Sequence, residues 1–316
     1  MNRPGERRVS VVIPVYRSEA IVAELVRRIE EAMRAGRFSG EVILVNDASP
    51  DESWARIAEA SQQHPWVRGI DLTNNAGQHN ALLCGVRAAT CDIVVTMDDD
   101  LQHPPEEIPK LLDKLDEGYD LVYGNPIEES RSWLRNSLSR LLKYTVLRAS
   151  ALHQVTVSSF RAFRTDLRTA FADFDNPHVF LDLLLTWGAR RVTGVRVRHD
   201  KRTIGPSSYS VGKLFSHAFT MITSYSVLPL YVASWVGFLF TTFGALVLLY
   251  ALVVFTVLGR VVPGFTFLTS IISIFSGAQL FAVGMVGLYL ARIYQSHLGR
   301  PAYLVREIRE SRTPTE

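Results

Sequence analysis

Cysteine is nearly absent: the 316 residues hold two, Cys84 and Cys91, and no Cys/His group has zinc-ligand spacing. A disulfide scaffold and a structural zinc site are excluded, and the two thiols read as buried and free in a reducing compartment. A strong charge bias is also missing. Lysine and arginine together number 34 against 31 for aspartate and glutamate, a formal net charge of +3. That is too little to suggest a nucleic-acid partner, and it fits a basic face lying on anionic lipid. No long apolar stretch opens the chain: Met1 to Arg8 leads directly into a strand-like run, so a secretory signal is not expected there. No Gly-x-Gly-x-x-Gly follows that run, which disfavours a dinucleotide-dependent oxidoreductase. Internal repeats and low-complexity tracts are lacking too.

Charge is missing locally at the C-terminal end. No Asp, Glu, Lys or Arg occurs from Leu214 to Gly259, nor from Val261 to Ala291. A hydrocarbon core of roughly 30 Å needs about 20 apolar helical residues. Tyr231 to Leu258 and Leu268 to Leu290 both reach that length, with Pro263 and Gly264 suited to the reversal between them. A two-helix transmembrane hairpin is expected. Arg190, Arg191, Arg196, Arg198, Lys201, Arg202 and Lys213 precede it, Arg292, Arg300, Arg306, Arg309 and Arg312 follow it, and only Arg260 lies in the turn. The positive-inside rule then puts both termini and the N-terminal part in the cytosol, on a multi-pass protein of the inner (plasma) membrane. Gly277, Gly284 and Gly287 would allow close helix packing in the second span.

Before the hairpin, apolar strand-like runs alternate with helical spacing. Val9 to Val15, Glu41 to Asn46, Val67 to Leu72, Ile93 to Met97 and Asp120 to Gly124 read as strands. Ser18 to Arg34, a helix ending near Gln63, Gln78 to Ala89, and a helix from His103-Pro-Pro105 to near Gly118 read as helices, with Ser49 or Asp51 capping the second. This rhythm predicts an α/β fold with a doubly wound, mainly parallel sheet, whose ligands bind beyond the carboxyl ends of the strands. Trp133 to Arg148 and Gly212 to Ser224 are amphipathic. They fit helices lying in the headgroup plane, and for the first an ordinary helix packed on the sheet fits as well.

The strand Ile93 to Met97 delivers Asp98, Asp99 and Asp100 to its end. Alternation points Asp98 and Asp100 one way and Asp99 the other. Two carboxylates on one side suit Mg2+ or Mn2+, with water and a diphosphate as the remaining ligands. Such an ion would neutralise charge building on a departing nucleotide. A solvated acidic turn before Pro104 is the plainer reading of the run by itself.

The run has company. Val12-Ile-Pro-Val-Tyr16, Leu44-Val-Asn-Asp-Ala-Ser-Pro-Asp51, Asn75-Ala-Gly-Gln-His79 with Ala81 and Gly85, and Met97-Asp-Asp-Asp-Leu-Gln-His-Pro-Pro-Glu106 occur in that order. Asp116-Glu-Gly-Tyr-Asp120, Phe160-Arg-Ala-Phe-Arg164, Arg202-Thr-Ile-Gly-Pro-Ser-Ser-Tyr209 and the two apolar spans follow. Over nearly its whole length the chain resembles glycosyltransferase family 2, and within it the polyprenyl-phosphate glycosyltransferases. The resemblance implies a GT-A type sheet and inverting transfer of a sugar from a nucleotide-diphosphate sugar, UDP-linked, to a polyprenyl (undecaprenyl) phosphate. It also implies a homo-oligomer, a tetramer as in relatives. The expected division is a nucleotide-sugar-binding core at 1–130, an acceptor-side part at 131–229, the spans at 230–292 and a cytosolic tail at 293–316.

The resemblance implies roles as well. Pro14 and Tyr16 would lie under the nucleotide base, and Asp47 would accept a hydrogen bond from it. Asn75, Gly77, Gln78, Asp99 and Gln102 would complete the nucleotide-sugar site, with phosphate at the helix start. Asp98 and Asp100 would hold the metal and, with Arg202, carry catalysis. Arg202, Ser207, Tyr209 and Lys213 would bind the acceptor phosphate. Arg161 and Arg164 are weaker candidates, since either could pair with a carboxylate. Five positions depart from the family pattern: Arg17, Asn46, Asn74, Val155 and Ser208. Val155 stands where relatives carry a proposed catalytic base, so no base is assigned. The departures motivate a reading of another class, a catalytically degenerate membrane scaffold or partner of another transferase. A processive polysaccharide synthase is disfavoured by the lack of Gln-x-x-Arg-Trp.

Overall fold

The computed structural model describes residues 7–36, 38–126, 156–176, 179–200, 228–258 and 264–310. β1 (Arg7–Val15), β2 (Phe38–Asn46), β3 (Val67–Leu72) and β4 (Ile93–Thr96) alternate with α1 (Val22–Gly36), α2 (Ser53–Gln63) and α3 (Gln78–Ala88). A 3-10 turn at Pro105–Glu107 leads into α4 (Ile108–Asp116) and β5 (Leu121–Pro126). β6 (Arg161–Arg164), a 3-10 segment (Thr165–Phe171), α5 (Leu181–Gly188) and β7 (Val192–Val197) follow. Two long helices, α6 (Leu228–Leu258) and α7 (Phe265–His297), precede the last strand, β8 (Val305–Arg309). The first helix starts later than its periodicity predicts because Ser18 serves the preceding loop: its N–H donates to Ser53 Oγ and its carbonyl accepts from Ile21 and Val22.

The strands form one sheet in the order β7-β5-β6-β4-β1-β2-β3-β8. β3, β2, β1 and β4 are parallel neighbours, as are β5 and β7, while β6 and β8 run antiparallel to theirs. The predicted parallel core is therefore present, with two reversed strands that periodicity did not announce. Chain order reverses at β1, since β2 and β3 lie on one side of it and β4 on the other. That reversal opens a crevice between the carboxyl ends of β1 and β4, where open α/β sheets bind ligands.

Both faces of the sheet are covered, which is why β1 reads as a continuous apolar run. On one face Val11, Ile13 and Leu44 pack against Leu25 and Ile29 of α1, Ile57 of α2 and Leu111 and Leu115 of α4. On the other, Val12, Ile43 and Val45 meet α3 and, further along, Leu181 and Leu185 of α5. Gly85 permits the closeness of α3: a Cβ there would lie 2.3 Å from Val12 Cγ1 and 3.1 Å from Val45 Cγ2.

Among the described residues three non-glycine residues have positive φ: Arg17 (57°), Ala48 (49°) and Leu101 (58°). Each lies just beyond the carboxyl end of β1, β2 or β4, and backbone strain of this kind gathers at functional edges.

Two compact units are distinguished, Met1–Ser208 with Gly299–Glu316, and Tyr209–Leu298. The second holds α6 and α7, which contain windows long and apolar enough to cross a membrane at Pro229–Val254 and Ile274–Tyr294. Almost none of that surface is covered, unlike a soluble core helix: Trp235, Phe238, Leu280 and Leu290 are all exposed. Phe240 and Phe275 meet edge to face at 5.7 Å, and Gly244 makes room for Phe275. Gly277, Gly284 and Gly287 face open space instead. In the first unit, Val305–Arg309, which falls within the expected cytosolic tail, closes the sheet edge against β3.

Candidate active site

The crevice at the chain reversal gathers the carboxylate run. Asp99 Oδ2 accepts from the Tyr16 N–H at 3.2 Å and from Ser18 Oγ at 2.5 Å, tying the end of β4 to the loop after β1. Asp98 takes different partners: Oδ1 accepts from Gln78 Nε2 at 2.6 Å and Oδ2 from Ser159 Oγ at 2.6 Å. Asp100 Oδ1 accepts from the Gln102 N–H at 3.1 Å. Desolvation raises Asp98 to about 6, and the neighbouring Asp100 and Asp99 add to the rise, against the Ser159 hydrogen bond and Arg161. Asp99 is raised as well, its burial outweighing the bonds from Ser18 and Tyr16.

The neighbouring loops are built by Asp47. The residue is buried, and its two oxygens accept from the N–H groups of Ala76 (2.6 Å) and Gly77 (3.0 Å), while its carbonyl accepts from Asn75 Nδ2 at 3.2 Å. Asp47, expected facing a base, thus holds the turn that opens α3; burial still raises its pKa. Gly77 at φ +91° makes that turn with no Cβ to strain it. Pro14 is buried near the end of β1, and Tyr16 is exposed beside it.

Beneath Asp98 lies a buried polar network. Arg161 pairs with Asp182 and donates through Nε to Thr96 Oγ1 at 2.9 Å; Tyr123 Oη donates to Asp182 at 2.9 Å. Thr96 Oγ1 in turn donates to the Ser159 carbonyl at 2.8 Å, fixing the residue that holds Asp98. Arg161 therefore has the carboxylate partner that was one of its two readings. His103 stacks on Phe160 (5.3 Å) and edges onto His199 (5.0 Å). Burial lowers His79 and His103 to about 4, so both rings are neutral at pH 7.

A divalent ion fits this donor set as a shared ligand. Among the described residues no group of three or more His, Cys, Asp or Glu side chains could hold a metal. Asp98 and Asp100 offer two hard oxygen donors whose mutual repulsion a cation would relieve. That suits Mg2+ or Mn2+, which keep waters and take phosphate oxygens.

Of the residues named from sequence, Asp98, Asp99, Asp100, Tyr16, Gln78 and Gln102 converge on this edge, with Asp47, Asn75 and Gly77 forming the adjoining loop. Arg202, Ser207, Tyr209 and Lys213, together with Val155 and Ser208, lie outside the described residues, as do the two amphipathic segments. Ser18, Ser159, Thr96 and Asp182 were missed. The polar pair Ser158-Ser159 just before an apolar strand was the available signal for one of them.

The model of glycosyl transferase family 2 matches residues 10–175. Over 305 residues, 95% of this chain and 94% of the relative, the chain is 33% identical to the undecaprenyl-phosphate 4-deoxy-4-formamido-L-arabinose transferase of Proteus mirabilis (strain HI4320). Among solved structures it is similar to glucosyl-3-phosphoglycerate synthase from Mycobacterium tuberculosis in complex with phosphoglyceric acid. The TM-score is 0.50 at 20% identity, over 69% of this chain and 79% of that one. A second structure of that M. tuberculosis synthase gives 0.50 at 21% identity, over 69% and 78%. At such identity the likeness is one of fold. With a family match spanning more than half the chain and a relative aligned along nearly all of it, the protein belongs to glycosyl transferase family 2.

Proposed function

We propose that the protein transfers a sugar from a nucleotide-diphosphate sugar, UDP-linked, to a polyprenyl (undecaprenyl) phosphate at the cytosolic face of the membrane, with inversion. The observation that carries this reading is the meeting of Asp98, Asp99, Tyr16 and Gln78 at the chain-reversal crevice of a family 2 fold. The acceptor class is supported by the relative's activity on an undecaprenyl phosphate and by the two uncovered apolar helices.

The donor would lie along the carboxyl edge, with its base beside Pro14 and Tyr16. Its diphosphate would lie at the start of α3, where N–H groups and the helix dipole favour an anion. Mg2+ or Mn2+ held by Asp98 and Asp100 would supply charge neutralisation for the leaving nucleotide. Ser159 and Gln78 orient Asp98, and Asp99 fixes the Tyr16 loop so that the crevice keeps its shape. His79 and His103, lowered by burial to about 4, are weak bases for removing a proton from the acceptor. None is needed: a phosphate monoester has a second pKa near about 6 and is largely dianionic at neutral pH. Arg202, Ser207, Tyr209 and Lys213 would screen it from the donor's charge and align it with the anomeric carbon. In this reading 1–130 binds the donor, 131–229 receives the acceptor, 230–292 spans the membrane and the termini are cytosolic.

Nucleotide release measured over a panel of nucleotide-sugars with undecaprenyl phosphate and Mn2+ tests the proposal. One sugar nucleotide is expected to be turned over in a lipid-dependent manner. Release no greater than background with every donor would leave a non-catalytic scaffold as the reading.

A further inference from the structure

The last described strand reaches the donor edge. Along β3 and β8 the partners are Gly69 with Arg309, Ile70 with Ile308 and Asp71 with Glu307, after which Leu72 pairs with Val305. Arg306 is thus an extra residue in the ladder, and such bulges re-aim a side chain. Its guanidinium turns to the carboxyl end of β3, with Nη1 donating to Asp71 Oδ2 at 3.3 Å and Nη2 to the Thr73 carbonyl at 2.8 Å. Asp71 is buried, and its other oxygen accepts from Asn46 Nδ2 at 2.7 Å across the β2–β3 pair. Asn46 Oδ1 accepts from the Ser49 N–H at 3.4 Å. The Thr73 N–H donates to the Leu304 carbonyl at 2.8 Å.

One arginine therefore joins two loops. The first, after β2, carries Asp47; the second, Thr73 to Gly77, is the turn that Asp47 clamps at Ala76 and Gly77. The same segment is anchored behind the bulge. Ala302 is buried and its N–H donates to Asp175, Tyr303 lies under Arg87, and Arg68 pairs with Glu310. Asn46, one of the departures from the family pattern, is the partner this arrangement requires. An aspartate there would set two buried carboxylates side by side, whereas the amide donates to Asp71.

We infer that Arg306 is a positioning residue for the donor site: with Asp71 and Asn46 it holds the Thr73–Gly77 turn in its nucleotide-binding shape. This rests on the assignment of that turn to the donor. Arg306 touches no reacting atom; it acts through Asp71 and the Thr73 carbonyl.

The test uses the full-length protein in detergent and compares wild type, Arg306→Gln, Arg306→Lys and the double variant Asp71→Asn/Arg306→Gln. The double variant leaves no buried carboxylate uncompensated and guards against loss of fold. Amide hydrogen exchange is read over 73–77, and UDP affinity is measured with Mn2+. In Arg306→Gln and in the double variant, exchange should rise in 73–77 and not in β1 or α4. UDP should bind about tenfold more weakly, equivalent to roughly 1.4 kcal/mol. The donor KM should rise while the polyprenyl-phosphate KM stays. Arg306→Lys should recover part of the affinity, since an ammonium restores the charge but not the fork. Unchanged exchange in 73–77 overturns the inference whatever the nucleotide shows, and so does faster exchange spread evenly over the sheet. A wild type that binds no nucleoside diphosphate overturns the donor assignment, and the catalytic meaning of Arg306 with it. If wild type binds UDP and Arg306→Gln binds it equally well, the positioning role alone falls.

Discussion

Asp98 is held in a state that disfavours its own charge. Its carboxyl is raised to about 6 from an ordinary 3.8, chiefly by desolvation. A carboxyl raised in the folded state contributes stability below the unfolded value, and that contribution is lost as pH rises through the folded one, here from about 4 to about 6. Above that window the metal-free protein carries a destabilising anion that substrate and cation would neutralise. Asp98→Asn should therefore melt a few degrees higher than wild type at pH 7.5 in EDTA. Its turnover should fall by two orders of magnitude or more, on the order of the loss of a single transition-state-stabilising group. A variant that melts lower and still turns over would contradict both halves. Cys84 is the contrasting case, since burial pushes its thiol up to about 12. Iodoacetamide at pH 8 should leave it unmodified in the folded protein and label it after denaturation, as mass spectrometry would read. That both cysteines are buried and free was legible from their number and spacing. The partners of Asp98 were not: Gln78 and Ser159 come from segments 20 and 61 residues away, and no local pattern records such a meeting.

At the scale of elements, the strands and helices that alternate in β1 to β5 were readable because each buries one regular stripe or run. α3 also carried Gly85, whose use became visible only with the distance to Val12. Gly85→Ala should destabilise the protein by about 1–3 kcal/mol through overpacking against β1 and β2, measurable as a lower midpoint in urea; a neutral effect would show that α3 can move out. β6 escaped notice because Arg161 sits in it, fully buried, and only Asp182 and Thr96 make that burial tolerable. β8 escaped notice for another reason. Its residues are mostly exposed and charged, Val-Arg-Glu-Ile-Arg, and its pairing with β3 spans more than 230 residues of sequence. The late start of α1 belongs here as well, since Ser18 looks helical in sequence but is drawn to Asp99 and Ser53.

At the scale of the whole molecule, the two apolar helices were the plainest feature of the sequence, because roughly 20 uncharged residues have few other uses. The full-length protein should stay in the membrane fraction after an alkaline carbonate wash; release into the supernatant would contradict a spanning hairpin. The family, too, was legible, through motifs spread from Pro14 to Tyr209 whose order no local fold element could impose. In the proposed reaction this fold joins a soluble donor to a lipid phosphate. Purified protein in bilayer discs, given the turned-over nucleotide-sugar, undecaprenyl phosphate and Mn2+ or Mg2+, tests it directly by recovery of sugar in an organic extract. A lipid-linked sugar should form with the metal present and fail to form with EDTA or with Asp98→Asn. Nucleotide released with the sugar left wholly in the aqueous phase would contradict it.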